Sequence, residues 1–159
     1  MREANGQKRI ITRADLVREA DEWLDTPWAH GQSVKGKGAD CVGFLRGIAR
    51  FVGHSEIPFE AYARISDERQ AEQGWRMITL LDENLVRLAS PYDARPGDWY
   101  AFVDQLSKLP QHVGMVRRYE GGQWQIIHAS LKNGVRFNRM DRRQMRLIHA
   151  AYKVPGVSE

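Results

Sequence analysis

One cysteine and five histidines are the residues of this chain whose types could carry covalent chemistry. Cys41 follows a polar, glycine-rich stretch, HGQSVKGKGA from His30 to Ala39, and stands at the first turn of a helix that Asp40 can cap. That position acts on a thiol in two ways. The positive end of the helix dipole favours the thiolate, which predicts a pKa below the free value of about 8.5. The unpaired N–H groups of the first turn can bind an oxyanion formed on an attacked carbonyl. A lone cysteine is also commonly a small buried hydrophobe. A thiol nucleophile needs a base, so the histidines decide between the two.

His54 follows a helix C-cap and reads as surface. His149, in a terminal strand from Leu147 to Val154, reads as a cross-strand partner. His30 precedes Cys41 in the glycine-rich loop and can line a cleft. His112 and His128 lie on consecutive strands joined by Glu120-Gly121-Gly122. A three-residue loop there pairs Tyr119 with Gln123, and Gly122 suits its last position. His128 then faces Gly114, and His112 lies diagonal to it on the same face, roughly 7–8 Å away at the backbone. A two-residue Gly121-Gly122 turn puts the rings on opposite faces instead. In the first arrangement His112 can deprotonate Cys41 and later protonate a leaving amine, while His128 fixes its tautomer. Two histidines satisfied within a sheet remain the simpler alternative. A zinc site of Cys41, His112 and His128 is another, although the pattern places no fourth ligand nearby and no metal is expected.

The elements that position these residues follow from periodicity. Thr12 can cap a helix whose apolar face is Leu16, Ala20, Trp23 and Leu24, ending before Pro27. Asp40 opens a second helix with Phe44, Leu45, Ile48, Phe51 and Val52 as its buried stripe, and Gly53 closes it. Gly43 and Gly47 put little bulk on that helix. Residues 54–66 read as loop. A third helical region spans 67–89, with Trp75, Ile78, Leu81, Leu85 and Leu88 in register and a break at Gly74. The period then changes to short β-rich segments: DWYAFV, HVGMVRRY, WQIIHA, GVRF and LIHAAYKV. Helices first and consecutive strands second predict an α+β fold with an antiparallel sheet packed on helices.

Composition narrows the function classes. At 159 residues the chain is one domain, 1–159. One cysteine excludes an internal disulfide and a four-thiolate zinc site. No apolar run approaches the 18 or so residues of a membrane span, and the start lacks a signal-peptide core, so the expectation is a soluble chain made in the cytoplasm. The net charge of +4 is too small to declare a nucleic-acid binder. The excess is concentrated in residues 132–146, where Lys132, Arg136, Arg139, Arg142, Arg143 and Arg146 face Asp141 alone. This run is either a solvated edge or a patch that holds an anionic polymer beside the cleft; only Phe137 in it offers a ring for base stacking.

The motifs together resemble the NlpC-type cell-wall cysteine peptidases, small papain-like domains. TPWAHGQSVKGKGADCVGFLRGI resembles their nucleophile region, close to P-Y-x-x-G-G…D-C-S-G. RPGDWYAFV resembles the P-G-D-hydrophobic strand, QHVGMV the H-V-G base strand, and IIHAS the third-residue strand. The order agrees from about residue 12 to 154. The K-G-x-G-x-D-C-x-G form, with a histidine near position 30, is most similar to the phage and gene-transfer-agent branch.

The resemblance implies a papain-like fold with N-terminal helices on a C-terminal antiparallel sheet of about five strands. It implies Cys41 as nucleophile, His112 as base and His128 as polar third residue. The reaction would cleave an amide of peptidoglycan stem peptides, typically between D-glutamate and the diamino acid, without metal or organic cofactor. Asp40, Trp28 and His30 would contact substrate. Trp28 stands where the family has Tyr, and Val42 where it has the Ser that helps recognise a free amino terminus. Related expectations are another amidohydrolase, an interbacterial amidase effector, or a non-catalytic wall-binding or tail-structural domain. The implied partner is a phage tail or gene-transfer particle, and delivery from the cytoplasm to the wall would be by a virion, such a particle or a secretion apparatus.

Overall fold

The computed structural model describes residues 9–53 and 67–159. The loop expected at 54–66, with His54, lies outside the described residues. In chain order the elements are β1 (Ile11–Thr12), α1 (Arg13–Glu22), β2 (Ser33–Val34), β3 (Gly38–Ala39), α2 (Cys41–Val52), α3 (Asp67–Asn84), β4 (Val86–Arg87) and a 3-10 turn at Pro91–Asp93. Then follow β5 (Trp99–Val103), β6 (Pro110–Glu120), β7 (Gln123–Ser130), β8 (Gly134–Arg139), α4 (Arg142–Arg146), β9 (Ile148–Lys153) and β10 (Val157–Ser158).

The helix boundaries are set by capping chemistry. The Thr12 hydroxyl accepts from the Asp15 N–H at 3.2 Å, and the Asp15 carboxylate accepts from the Thr12 N–H at 2.9 Å, a reciprocal capping box for α1. Asp40 caps α2, and Gly53 ends it with a left-handed φ of 87°. α3 departs from expectation in three ways. It runs unbroken through Gly74, where a Cβ would stand 2.2 Å from the Pro110 carbonyl; the missing side chain lets the helix approach β6. It stops at Asn84, because Val86 and Arg87 pair with β9 as a sixth strand. Trp75, expected on the buried stripe, is 46% exposed and lies edge-on to His149 with ring centroids 5.4 Å apart.

The main sheet is antiparallel throughout, ordered β4-β9-β5-β6-β7-β8. The five β-rich segments of the sequence are β5 to β9. The glycine-rich loop contains a short hairpin, β2 with β3. Alternation divides the sheet between two cores. Trp99, Val113, Met115, Ile127 and Ala129 join Phe44, Ile48 and Leu81 of α2 and α3 in the larger cluster. Tyr100, Phe102, Val116, Ile126 and Met140 form a smaller cluster on the other face, capped by Met145 and Leu147. The P-G-D motif is a tether between layers. Buried Asp98 accepts from Arg13 of α1 at 2.7 Å and from the Arg95 N–H at 2.8 Å. No helix among the described residues is long and apolar enough to cross a membrane.

The two glycines of α2 are sites of close approach. A Cβ on Gly43 would lie 1.8 Å from the Gln32 carbonyl, and one on Gly47 would lie 2.1 Å from the Trp23 ring. Gly47→Ala must therefore push α1 and α2 apart. The expected cost is about 1–3 kcal/mol, read as a lower urea midpoint with an unchanged slope.

Candidate active site

The β6–β7 hairpin decides whether the two histidines meet. Gly121 and Gly122 form a two-residue turn with φ of 59° and 77°, and Glu120 pairs with Gln123. The expected three-residue loop is therefore wrong. By itself this turn would send the rings to opposite faces. A β-bulge compensates: Arg118 pairs with Gln125, but Val116 pairs with Ile126, so Arg117 is an extra residue. Beyond it the register is the one that puts His112 and His128 on one face. The guanidinium of Arg117 donates to both oxygens of Asp21 on α1, at 2.7 and 2.9 Å, and lies 4.7 Å from the centre of the Phe137 ring. This fork anchors the extra residue to the helix layer.

The imidazoles then form a directed chain. His112 Nε2 and His128 Nδ1 are 2.8 Å apart, with ring planes at 80°. His128 Nε2 lies 2.7 Å from Asn138 Oδ1, and Asn138 Nδ2 donates to the Arg139 carbonyl at 3.1 Å. A carbonyl oxygen only accepts, so His128 carries its proton on Nε2 and presents the lone pair of Nδ1. His112 must then donate through Nε2, which leaves Nδ1 as its basic nitrogen. Gly114 is needed beside the pair, since a Cβ there would stand 3.2 Å from His128 Cβ. A second bulge follows: Phe102 pairs with His112 but Val103 with Pro110, leaving Gln111 extra at the mouth of the site.

Cys41 arrives from the other layer. The N–H groups of Val113, Val42 and Cys41 itself face its sulfur. All six residues singled out in the sequence, Trp28, His30, Asp40, Cys41, His112 and His128, line one cleft of about 510 Å³. Their situations differ. The Asp40 carboxylate is buried and accepts from the Gly43 N–H at 2.6 Å and the Gly31 N–H at 2.7 Å, so it caps α2 and ties the loop to it. Trp28 is half-buried, bridges Ala39 along the backbone and has its ring 6.2 Å from that of exposed His30. Val42 is 2% exposed and sits in the main core, so a polar contact from that position is replaced by packing.

The thiol's acidity runs against the sequence expectation. Burial, and then the adjacent Asp40 charge, push Cys41 up to about 12, outweighing the three N–H groups. Burial, and then the neighbouring His128, push His112 down to about 3. Burial also lowers His128; Asn138 opposes this and Arg136, its cross-strand partner, adds to it. The resting site thus holds a neutral thiol and neutral imidazoles. The His112 and His128 nitrogens face each other rather than converge, and among the described residues no group of His, Cys, Asp or Glu is arranged to hold a metal ion.

Asn138 and Gln111 were missed by sequence reasoning, and Arg136 was read as part of the basic run without its place beside His128. Counting back from the Gly134 turn would have found two of them: Arg136 pairs with His128 and Asn138 with Ile126, all on one face by period-2 alternation. No signal near Gln111 announces its bulge.

No family model matches the chain, and no curated protein matches it by sequence. Solved structures do. An NlpC/P60 family protein from Bacillus cereus shares 20% identity at a TM-score of 0.63, over 90% of this chain and 40% of its own. NlpC2 from Trichomonas vaginalis shares 16% at 0.60, over 96% of this chain and 50% of its own. Ly7917, also solved with the hydrolysis product of MDP, shares 12% at 0.57, over 91% of this chain and 63% of its own. The chain thus spans between 40% and 63% of the length of these proteins. Helices packed on a six-stranded antiparallel sheet are the papain-like fold of NlpC/P60 proteins.

Two pH effects follow. His112 titrates near 6.5 in the unfolded chain and near 3 in the fold, so below pH 6.5 the unfolded state binds a proton that the fold refuses. Stability is complete above pH 6.5 and declines towards pH 3. The urea midpoint should fall across this window more steeply in the native protein than in His112→Gln. The second effect concerns the thiol. Alkylation of Cys41 by iodoacetamide should still be accelerating above pH 9, and Asp40→Asn, which keeps a capping oxygen but removes the charge, should move the profile to lower pH.

Proposed function

We propose that this chain is a cysteine peptidase domain of the NlpC/P60 type, 1–159, that hydrolyses an amide bond in peptidoglycan stem peptides. The observation that carries the reading is the convergence of Cys41, at the N-terminus of α2, with the His112–His128–Asn138 chain in one cleft of an NlpC/P60-like fold. Cys41 is the nucleophile, His112 the base and His128 the residue that orients it, with Asn138 behind. Trp28, His30 and Asp40 form the substrate-facing wall.

The neutral resting pair defines the chemistry. His112 acts as general base during attack, not as a preformed imidazolium. As the sulfur bonds to the carbonyl carbon, the thiol proton passes to Nδ1 of His112. The charge on His112 is then shared with His128 through the 2.8 Å bond. The oxyanion lies at the first turn of α2, where the N–H groups of Cys41 and Val42 are the available donors; that of Gly43 is taken by Asp40. Collapse expels the amine, which takes the proton from His112. Water, deprotonated by His112, then attacks the thioester and regenerates the thiol.

The bond between D-glutamate and the diamino acid is the cleavage site on this reading. The K-G-x-G-x-D-C-x-G form supports placement beside the phage and gene-transfer-agent enzymes, with such a particle carrying the protein to the wall. Digestion of purified murein followed by mass spectrometry tests both enzyme and bond. Cys41→Ala should release no fragments while unfolding like the native protein, and activity retained in it would sink the proposal. His112→Ala should lose at least about 100-fold in kcat, and Asn138→Leu should lose less, with KM unchanged.

A further inference from the structure

A second groove, of about 710 Å³, opens at the hairpin end of β7 and plays no part in the chemistry above. Trp124 lies in it, and His128 lies in the catalytic cleft. By alternation Trp124, Ile126 and His128 share one face of β7, so the two sites are about 13 Å apart along the same strand. β8 follows the same track. Arg136 pairs with His128, Asn138 with Ile126, and the Met140 N–H donates to the Trp124 carbonyl.

The lining combines two kinds of group. Tyr92 is 76% and Tyr119 57% exposed, unusual for rings in a chain that buries Trp99, Tyr100 and Tyr152 completely. The platform is braced. Tyr119 packs on Trp124 with centroids 4.7 Å apart, and buried Tyr100 meets Trp124 edge-on at 6.5 Å. Arg142 and Arg146, one turn apart on α4, complete the lining and form no ion pair among the described residues. Asp141 is the acid in the lining, and its carboxylate is committed to the Gln144 N–H at 2.8 Å. Arg143, from the same run, is held by Gln105 instead. The basic run is thus divided: Arg136 pairs with His128 beside the catalytic cleft, and Arg142 and Arg146 flank an aromatic groove.

Flat rings accept the apolar faces of sugars, and unneutralised guanidinium groups fork onto carboxylates. We propose that this groove binds a carboxylate-bearing saccharide strand and holds it along the face of β7 that carries His128. The choice of a wall glycan as that strand rests on the peptidase reading; the ring-and-cation chemistry does not. Charge favours this occupant over a neutral sugar, and the exposed ring faces favour it over an acidic peptide.

The test uses the full chain carrying Cys41→Ala, so that nothing is cleaved. Binding is measured to glycan strands released from murein by an amidase, which bear free lactyl carboxylates. Chitotetraose supplies sugar without charge, and polyglutamate charge without sugar. The strands should bind, more weakly as salt rises, and both controls should bind at least about tenfold less tightly. Replacing the exposed ring in Tyr92→Ala, and the pair Arg142→Gln with Arg146→Gln, should each weaken strand binding by about tenfold or more. Tyr119→Phe should retain it. The proposal is overturned if strands do not bind, if polyglutamate or chitotetraose binds equally well, or if these variants bind like the parent. It is also overturned if a peptide or protein occupies the groove and strands do not compete. Cleavage of a small soluble muropeptide by the native active site is scored separately. Strand binding without cleavage sinks the peptidase reading alone; cleavage without strand binding sinks the groove alone.

Discussion

The arrangement depends on one extra residue in β6. Side chains along a strand alternate with a period of two, so a slip of one residue moves every side chain to the opposite face. The Gly121-Gly122 turn imposes one register on β6 and β7, and the histidines need the other. Arg117 resolves the conflict. Its bulge changes the register between hairpin tip and cleft, and its fork onto Asp21 holds the bulge against α1. The tip keeps its two-residue turn, Val113 and Met115 keep their places in the main core, and His112 stays beside His128. A second bulge at Gln111 ends regular pairing with β5 next to His112. His112 thus lies on a stretch of regular pairing bounded by a bulge at either end.

Around that register the site is tuned by burial more than by the helix end. α2 presents its N-terminal N–H groups to the sulfur, as any capped helix would. Packing removes water from the same sulfur, and Asp40, whose carboxylate makes the cap, places a negative charge next to it. The residue that builds the helix terminus therefore opposes the thiolate that the terminus favours. On the proposed reading, the half-buried neutral thiol and imidazoles would stay inert until a substrate carbonyl arrived to take the sulfur's electrons as the proton left. Asn138 matters for the same reason. In a neutral chain of hydrogen bonds the tautomer is set by its last member, and an amide oxygen is an unambiguous acceptor.

The sheet gives each face a separate task. One face meets the helices and supplies most of the core. The other carries the histidines at one end of β7 and the braced aromatic groove at the other, with the small cluster of Tyr100, Phe102, Val116, Ile126 and Met140 between them. The two sites lie on one strand, so their spacing is a property of the sheet.

Much of this was legible from local chemistry. Thr12, Asp40 and Gly53 mark helix ends because caps answer to residues a few positions away. Five of the six strands of the main sheet are visible as β-rich segments between turns. All six residues singled out for the site line one cleft. What local chemistry could not supply depended on distant partners. The bulge rests on an ion pair spanning 96 residues, so a turn read by its own length gave the right pairing of histidines for the wrong reason. β4 is too short to show any period, and Gly74 looked like a helix breaker because Pro110, which approaches it, is far along the chain. The thiol's acidity had a sign that the helix alone predicted wrongly, since desolvation is exerted by everything packed around an atom. Periodicity and capping are written within a turn or two of chain; register, burial and the last acceptor in a hydrogen-bond chain exist only once remote segments have met.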